Sequence, residues 1–339
     1  MNFDNVGIDV GFGHTKWAVR LEDEIVTGSI PSLAPTASAK TVSTDVPHFT
    51  KRKTIHITVD GNIFEVGKDV KLATSSTNTG RSLEDGFPLT KNYMALLMGA
   101  LYDAGADHVK TLVLGLPVHT IQKYADHLKS IFSHPLQVAD RIISVDKIIV
   151  VPQPVGSLAT YATQNNVSMS EQHTRLIIDV GYVTTDWVVA SGFAMADSRS
   201  GGRVGGVSHI LKNIAEQISA KYANGKIERF ERIDESLVTK QTFQYFRHQI
   251  GHQELQSMLL QASPVIEETI KEIKIRAGEV DDLSEIILTG GGATYYEPLV
   301  RQYFDLNRVE VLSNPSLTNA IGFLLVGEKM MRRANTYGH

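Results

Sequence analysis

The sequence predicts an α/β fold of two related domains. Three observations carry this: a twelve-residue stretch that occurs twice, β-rich and helix-periodic segments that alternate around the copies, and a length of 339 residues, more than one small core fills. The first copy, Ile8 to Val19, reads IDVGFGHTKWAV, and the second, Ile178 to Val189, reads IDVGYVTTDWVV. Seven of the twelve positions are identical, and the only two tryptophans, Trp17 and Trp187, hold the same place in each. Each copy reads as a buried strand, a tight turn and a second strand, because an apolar run meets glycine and then a β-branched and aromatic run. The Asp before each turn glycine sets a carboxylate beside backbone N–H groups that can approach an anion closely. The copies differ where Lys16 in the first is replaced by Asp186 in the second. An ammonium there neutralises phosphate, whereas a carboxylate repels phosphate and suits a hydrated Mg²⁺. Together the hairpins predict a clamp for a polyphosphate and its metal.

Along the chain, a Ser-, Thr-, Ala- and Pro-rich loop spans about 31–47. Thr54 to Val59 and Ile63 to Val66 then form a hairpin around Asp60-Gly61-Asn62. Residues from about 32 to 87 read as an insertion on the first domain, with a polar, mobile connection over 74–81. Helices are predicted over 92–102 and 121–132, and strands over 109–118 and 142–151. Pro152 and Pro154 end the last strand and predict a non-helical loop for Gln153, with a helix from Gly156. After the second hairpin, Val207, Ile210, Leu211, Ile214 and Ile218 form a helical stripe, and 221–280 reads as helical. Within it, Ser263-Pro264 reads as N-cap and first helical residue, with Ile266, Ile270 and Ile273 on the buried face. A strand over 285–288 runs into Thr289-Gly290-Gly291-Gly292-Ala293 and a helix from about 296, an arrangement that presents N–H groups to a nucleotide. A last helix spans 319–326, followed by a polar, basic tail.

Composition narrows the function. With 42% hydrophobic and 21% charged residues and a net charge of −4, the chain lacks the basic excess of a nucleic-acid binder. Cysteine is absent, which excludes disulfides and thiolate chemistry and fits a reducing compartment. No leader or membrane-length apolar run is found, so a cytoplasmic location is expected. His248 and His252 have helical spacing but lack the rest of a zinc motif, so they read as surface or packing residues.

Taken in this order, the motifs resemble the actin, heat-shock chaperone and sugar kinase superfamily of ATPases. Within it the chain most resembles the actin-like proteins of the ParM/StbA plasmid-partition type. That resemblance implies two actin-like (ribonuclease H-like) domains with a nucleotide cleft between them, each carrying a smaller subdomain. The first would span 1–155, with the C-terminal helix of about 323–339 packing back on it; the second would span 156–322, with a helical subdomain at about 221–280. ATP/ADP and Mg²⁺ are the implied ligands. Nucleotide contacts fall on Gly11, Gly13, His14, Thr15 and Lys16, on Gly181, Tyr182 and Thr184, and on Gly290, Gly291 and Gly292. Asp9, Asp179 and Asp186 would hold the metal, and Gln153, Asp179 and Asp9 would serve catalysis. Gln153 is expected to place the attacking water; whether it also deprotonates it is open. The implied protein is an ATPase that assembles with itself into filaments and segregates plasmid DNA through a separate DNA-binding adaptor. It would touch neither DNA nor membrane directly. The alternatives are a metabolite kinase, for which no base for an acceptor hydroxyl stands out, and a cell-shape homologue, for which no amphipathic anchor is found.

Overall fold

The computed structural model describes residues 1–37, 52–75, 78, 80–81, 86–167, 173–222 and 225–337. They form two units, Met1–Glu171 with Leu312–His339, and Gln172–Val311. The first holds strands β1 (Asn2–Val10), β2 (His14–Leu21) and β3 (Glu24–Pro31), the small pair β4 (Thr54–Val59) and β5 (Asn62–Gly67), α1 (Lys91–Asp103), β6 (His108–Leu116), α2 (Ile121–Ser130), β7 (Leu136–Val138), β8 (Arg141–Pro152) and α3 (Gln153–Gln164). The second begins with β9 (Thr174–Val180), β10 (Thr184–Ser191), β11 (Ala194–Met195), β12 (Gly201–Val204), α4 (Val207–Tyr222) and α5 (Glu231–Thr239). It continues through β13 (Phe243–Tyr245), β14 (His248–Ile250), α6 (His252–Gln261), α7 (Ser263–Ala277), β15 (Leu283–Thr289), α8 (Ala293–Tyr303) and β16 (Val309–Val311). The last helix, α9 (Thr318–Tyr337), belongs to the first unit.

The sheet of the first unit runs β3-β2-β1-β6-β8-β7, with β1, β6 and β8 parallel. Its central strand β6 is buried from Thr111 to Leu116, as a parallel strand covered on both faces must be. The second sheet runs β11-β10-β9-β15-β16, with β12 also paired to β10. The sequence repeat holds down to the register. Ile8, Asp9 and Val10 pair with Trp17, Lys16 and Thr15, and Ile178, Asp179 and Val180 pair with Trp187, Asp186 and Thr185.

The repeat also reaches a third strand that the sequence does not advertise. Gly28 on β3 stands opposite Trp17, and Gly201 on β12 stands opposite Trp187. A Cβ would lie 2.3 Å from the Trp17 ring at Gly28 and 2.7 Å from the Trp187 ring at Gly201. Each indole therefore lies flat over a glycine, although nothing else in β3 and β12 matches. The glycine-rich residues 200–206 thus include a strand.

Each unit has its own apolar core. The expected stripes are buried: Ile210, Leu211, Ile214 and Ile218 on α4, and Ile266, Ile270 and Ile273 on α7. The β4–β5 hairpin forms around Asp60 and Gly61, both with positive φ (45° and 78°), as a two-residue turn of this hand requires.

Other expectations change. Residues 221–280 are not all helical, because Phe243–Tyr245 and His248–Ile250 alternate buried and exposed and pair as a hairpin. Ser263 is the first residue of α7 with Ala262 in the cap position, so the serine does not cap. The final helix continues to Tyr337, since its polar last turns still satisfy the helical ladder. Parts of the predicted 31–47 loop and of the 74–81 connection lie outside the described residues.

The two compact units divide at 171/172 and 311/312, and within the first unit α9 packs against α3 and against β1, β2 and β6. The packing is at backbone contact: a Cβ on Gly322 would sit 1.7 Å from the Gly156 carbonyl oxygen, and one on Gly7 2.2 Å from that of Ala320. Buried hydroxyls close the crossing, with Ser157 Oγ donating to Asn319 Oδ1 (2.6 Å) and Thr160 Oγ1 to the Thr318 carbonyl (2.7 Å). Among the described residues, no helix is long and apolar enough to cross a membrane.

Candidate functional site

In the first unit, β1 delivers Asp9 to the start of its turn with 3% exposure. Lys16, opposite it on β2, donates from Nζ to Asp9 Oδ2 at 3.2 Å. Gln153 donates from Nε2 to Asp9 Oδ1 at 2.9 Å. The structure thus brings together three predicted residues, one of them 144 positions away. A carboxylate only accepts, so the amide nitrogen must face Asp9 and the amide oxygen is left as an acceptor.

Gln153 is not in a loop. It is the first residue of α3, after Pro152 in the cap position. The prolines end the strand as expected, but Pro154 sits in the first turn, where its missing N–H costs nothing.

The loop Gly11–Gly13 is braced by a residue the sequence did not single out. Ser32, 2% exposed, donates from Oγ to the Gly11 carbonyl (2.5 Å) and from its backbone N–H to that of Gly13 (3.0 Å). Its hydroxyl also meets Thr15 Oγ1 at 2.9 Å. Thr15 is fully buried, and this bond makes it a brace of the loop. The second unit repeats the device: Thr185 Oγ1 donates to the Gly205 carbonyl at 3.1 Å. The shared Thr of the two copies was the only sequence signal for either brace.

A Cβ on Gly11 would come 3.1 Å from the His14 carbonyl oxygen, so the glycine keeps the turn tight. Desolvation by the surrounding loop, then the charges of Lys16, Lys71 and Arg81, hold the His14 ring down at about 4, although the residue keeps an exposed face. The unfolded imidazole takes its proton near 6.5 and the folded one only near 4, so the folded state binds fewer protons between them. Stability therefore falls as pH drops through that window. Replacing His14 by Asn is expected to flatten the melting temperature against pH there; an unchanged slope would show that the crowding of charge is not felt.

In the second unit, Asp179 (6% exposed) and Asp186 (2%) occupy the register positions held by Asp9 and Lys16 in the first. Facing carboxylates on one strand pair offer oxygens to a divalent cation or to its waters. The donor set fits magnesium: hard oxygens, with no cluster of three or more His, Asp or Glu side chains among the described residues, so the ion would keep most of its water shell. The turn closes through Gly181 N–H to the Thr184 carbonyl (2.8 Å), and the first N–H groups of α4 bond back to Gly181 (3.1 Å) and Tyr182 (2.7 Å).

The three glycines after β15 have separate reasons. Gly290 has φ +86°, and a Cβ there would meet Asp179 Oδ1 at 2.4 Å. One on Gly292 would strike Val207 at 2.4 Å and Val180 at 2.5 Å, whereas one on Gly291 would meet nothing. The first sets the Asp179 carboxylate against the turn, the third packs it, and the second keeps open ground.

Two carboxylates on α5 escaped the sequence reading, which took this segment only as helical. Tyr182 of the loop donates to Glu231 Oε1 (3.4 Å), and Tyr295, just past the glycines, donates to Asp234 Oδ1 (2.6 Å). Burial, then the Asp234 charge, pushes the Tyr295 phenol well above its ordinary value, so it stays a donor. Two acidic residues in the first turn of a helix were the available signal.

Residues 7–156 match the family model of actin-like protein N-terminal domains, and residues 177–301 that of the archaeal actin homologue MreB-like C-terminal domain. A search of curated proteins finds no match. Among solved structures, an archaeal actin homologue is 22% identical with a TM-score of 0.76, over 96% of this chain and 100% of the other. The same homologue in complex with ADP is 21% identical with a TM-score of 0.75, over 96% and 100%. A ParM from a 15-stranded filament of Clostridium botulinum is 19% identical with a TM-score of 0.74, over 97% and 100%. With two-domain coverage by the family models and this shared fold, the chain belongs to the actin-like proteins.

Proposed function

We propose that the chain binds ATP with Mg²⁺, hydrolyses it and polymerises into filaments, and that it serves plasmid DNA segregation through a separate adaptor. The observation that carries this is the charge difference between two hairpins of identical register: Asp9 faces Lys16, and Asp179 faces Asp186. The first turn suits phosphate oxygens, and the second suits a hydrated cation. Lys16 and the N–H groups of residues 11–13 bind phosphate, while Asp179 and Asp186 hold the ion's water shell. Magnesium, when bound, neutralises phosphate charge as the terminal phosphoryl group leaves. Gly291, with open space where a side chain would go, admits the purine, and Glu231 and Asp234 offer acceptors for ribose hydroxyls.

Gln153 keeps Asp9 oriented with its amide nitrogen and places water with its amide oxygen. An amide does not titrate, so this residue orients the water and does not deprotonate it. Gln153→Ala is expected to slow turnover about 100-fold or more with little change in nucleotide affinity. Single-turnover hydrolysis at the wild-type rate would remove it from the reaction.

Filament assembly is supported by the likeness to a ParM from a filament. The net charge of −4 argues for an adaptor rather than direct DNA contact. Sedimentation and electron microscopy with ATP·Mg²⁺ and with ADP test the reading: filaments are expected with the triphosphate. A protein that stays monomeric at high concentration in both would refute it.

A further inference from the structure

The first turn of α1 buries a hydroxyl. Tyr93 is 1% exposed, and among the described residues its shielded Oη has no hydrogen-bond partner. A buried donor left unpaired gives up its hydration for nothing in return. The side chain is also fixed in place. Its backbone N–H is capped by Thr90 Oγ1 (3.1 Å), and the neighbouring Asn92 donates from Nδ2 to the Ala34 carbonyl (2.9 Å). The ring meets Phe87 edge-on at 5.3 Å. Phe87 in turn stacks at 4.9 Å on Phe12 of the first loop, whose carbonyl accepts from Arg81 Nη1 at 3.2 Å. The helix itself packs against β1 and β2, the strands that carry Asp9 and Lys16.

We propose that Tyr93 is a positioning residue of the first turn, its O–H donating to a buried water that donates in turn to the Asp9 carboxylate. Both ends of that bridge have capacity to spare. Asp9 accepts from Gln153 on Oδ1 and from Lys16 on Oδ2, and a carboxylate offers about four acceptor positions, so each oxygen keeps one. The Asp9 charge reaches the phenol: burial, then that charge, pushes Tyr93 well above its ordinary value, so the proton stays on the oxygen. An internal water is the usual link between a buried donor and a buried acceptor that do not bond directly. The bridge gives Asp9 an uncharged anchor beside Gln153. Lys16 cannot serve Asp9 and a phosphate equally, and this anchor keeps the carboxylate aimed while the ammonium is shared. Every group involved lies in the first unit. The assignment rests on the proposed nucleotide site and deepens it.

Tyr93→Phe, which removes the oxygen and keeps the ring, tests it. The denaturant midpoint of the nucleotide-free variant is expected to equal the wild type's or fall below it, because the bridge is lost. A midpoint above the wild type's would mark the hydroxyl as an uncompensated donor and overturn the assignment. Single-turnover hydrolysis of Mg·ATP is expected to slow about three- to tenfold, the worth of one hydrogen bond, while affinity for Mg·ADP by calorimetry changes less than about twofold. Hydrolysis at the wild-type rate would reduce Tyr93 to packing and overturn the positioning role. A crystal structure of the wild type is expected to show a water within hydrogen-bond distance of Tyr93 Oη and of one Asp9 oxygen. Its absence from a protein that does hydrolyse ATP overturns this assignment alone and leaves the nucleotide reading in place. A wild type that neither binds nor hydrolyses nucleotide overturns that reading, and the positioning role with it.

Discussion

Asp179→Asn is expected to cut affinity for Mg·ADP by about 100-fold. Asp179 and Asp186 stand opposite each other, buried, on neighbouring strands. Neutralising one of them removes charge that would hold the ion's water shell. The same change at the matched position, Asp9→Asn, is expected to cost stability in the nucleotide-free protein. There the carboxylate is buried against Lys16, and leaving that ammonium unpaired costs about 3–5 kcal/mol. Melting curves of both variants with and without Mg·ADP decide the matter. An Asp179→Asn protein stabilised by Mg·ADP as much as the wild type would show that the second hairpin is not a metal site.

Gly322→Ala is expected to destabilise the first unit by about 3 kcal/mol or more, the upper end of overpacking effects. The added methyl would sit 1.7 Å from the Gly156 carbonyl oxygen and 2.3 Å from its carbon. Its neighbours there are backbone atoms of another helix, so no rotamer change can make room. α3 and α9 must move apart, and Ser157 and Thr160 then lose their bonds to Asn319 and Thr318. Because α3 begins with Gln153, the separation should also loosen the Gln153–Asp9 bond. Gly86→Ala, where a Cβ meets nothing within 4 Å, is the control and should change stability by under about 0.5 kcal/mol. Denaturant unfolding compares them; equal midpoints would mean that the crossing is not a close backbone contact.

Local chemistry made much of this chain legible. The hairpins, the stripes on α4 and α7, and the Asp60-Gly61 turn each depend on residues a few positions apart, and each formed where its pattern stands. Readings failed where a local signal had two outcomes. Pro152 and Pro154 end a strand, but they equally permit a helix to start between them. Ser263-Pro264 has the chemistry of a cap, yet the helix begins one residue earlier than a cap allows. Gly28 and Gly201 looked like unremarkable glycines because their reason is an indole on another strand.

By itself, the sequence determined that two equivalent turns exist, that one carries a cation and the other a carboxylate, and that a glycine turn follows in the second half. Strand–turn–strand geometry is settled within a dozen residues, so composition at those positions suffices. Only the tertiary structure decided who meets whom: Gln153 at Asp9, Ser32 under the first loop, Arg81 at Phe12, and Gly322 against Gly156. Those partners depend on strand order and helix crossing, which arise from packing summed over the whole unit and are written in no short stretch of chain.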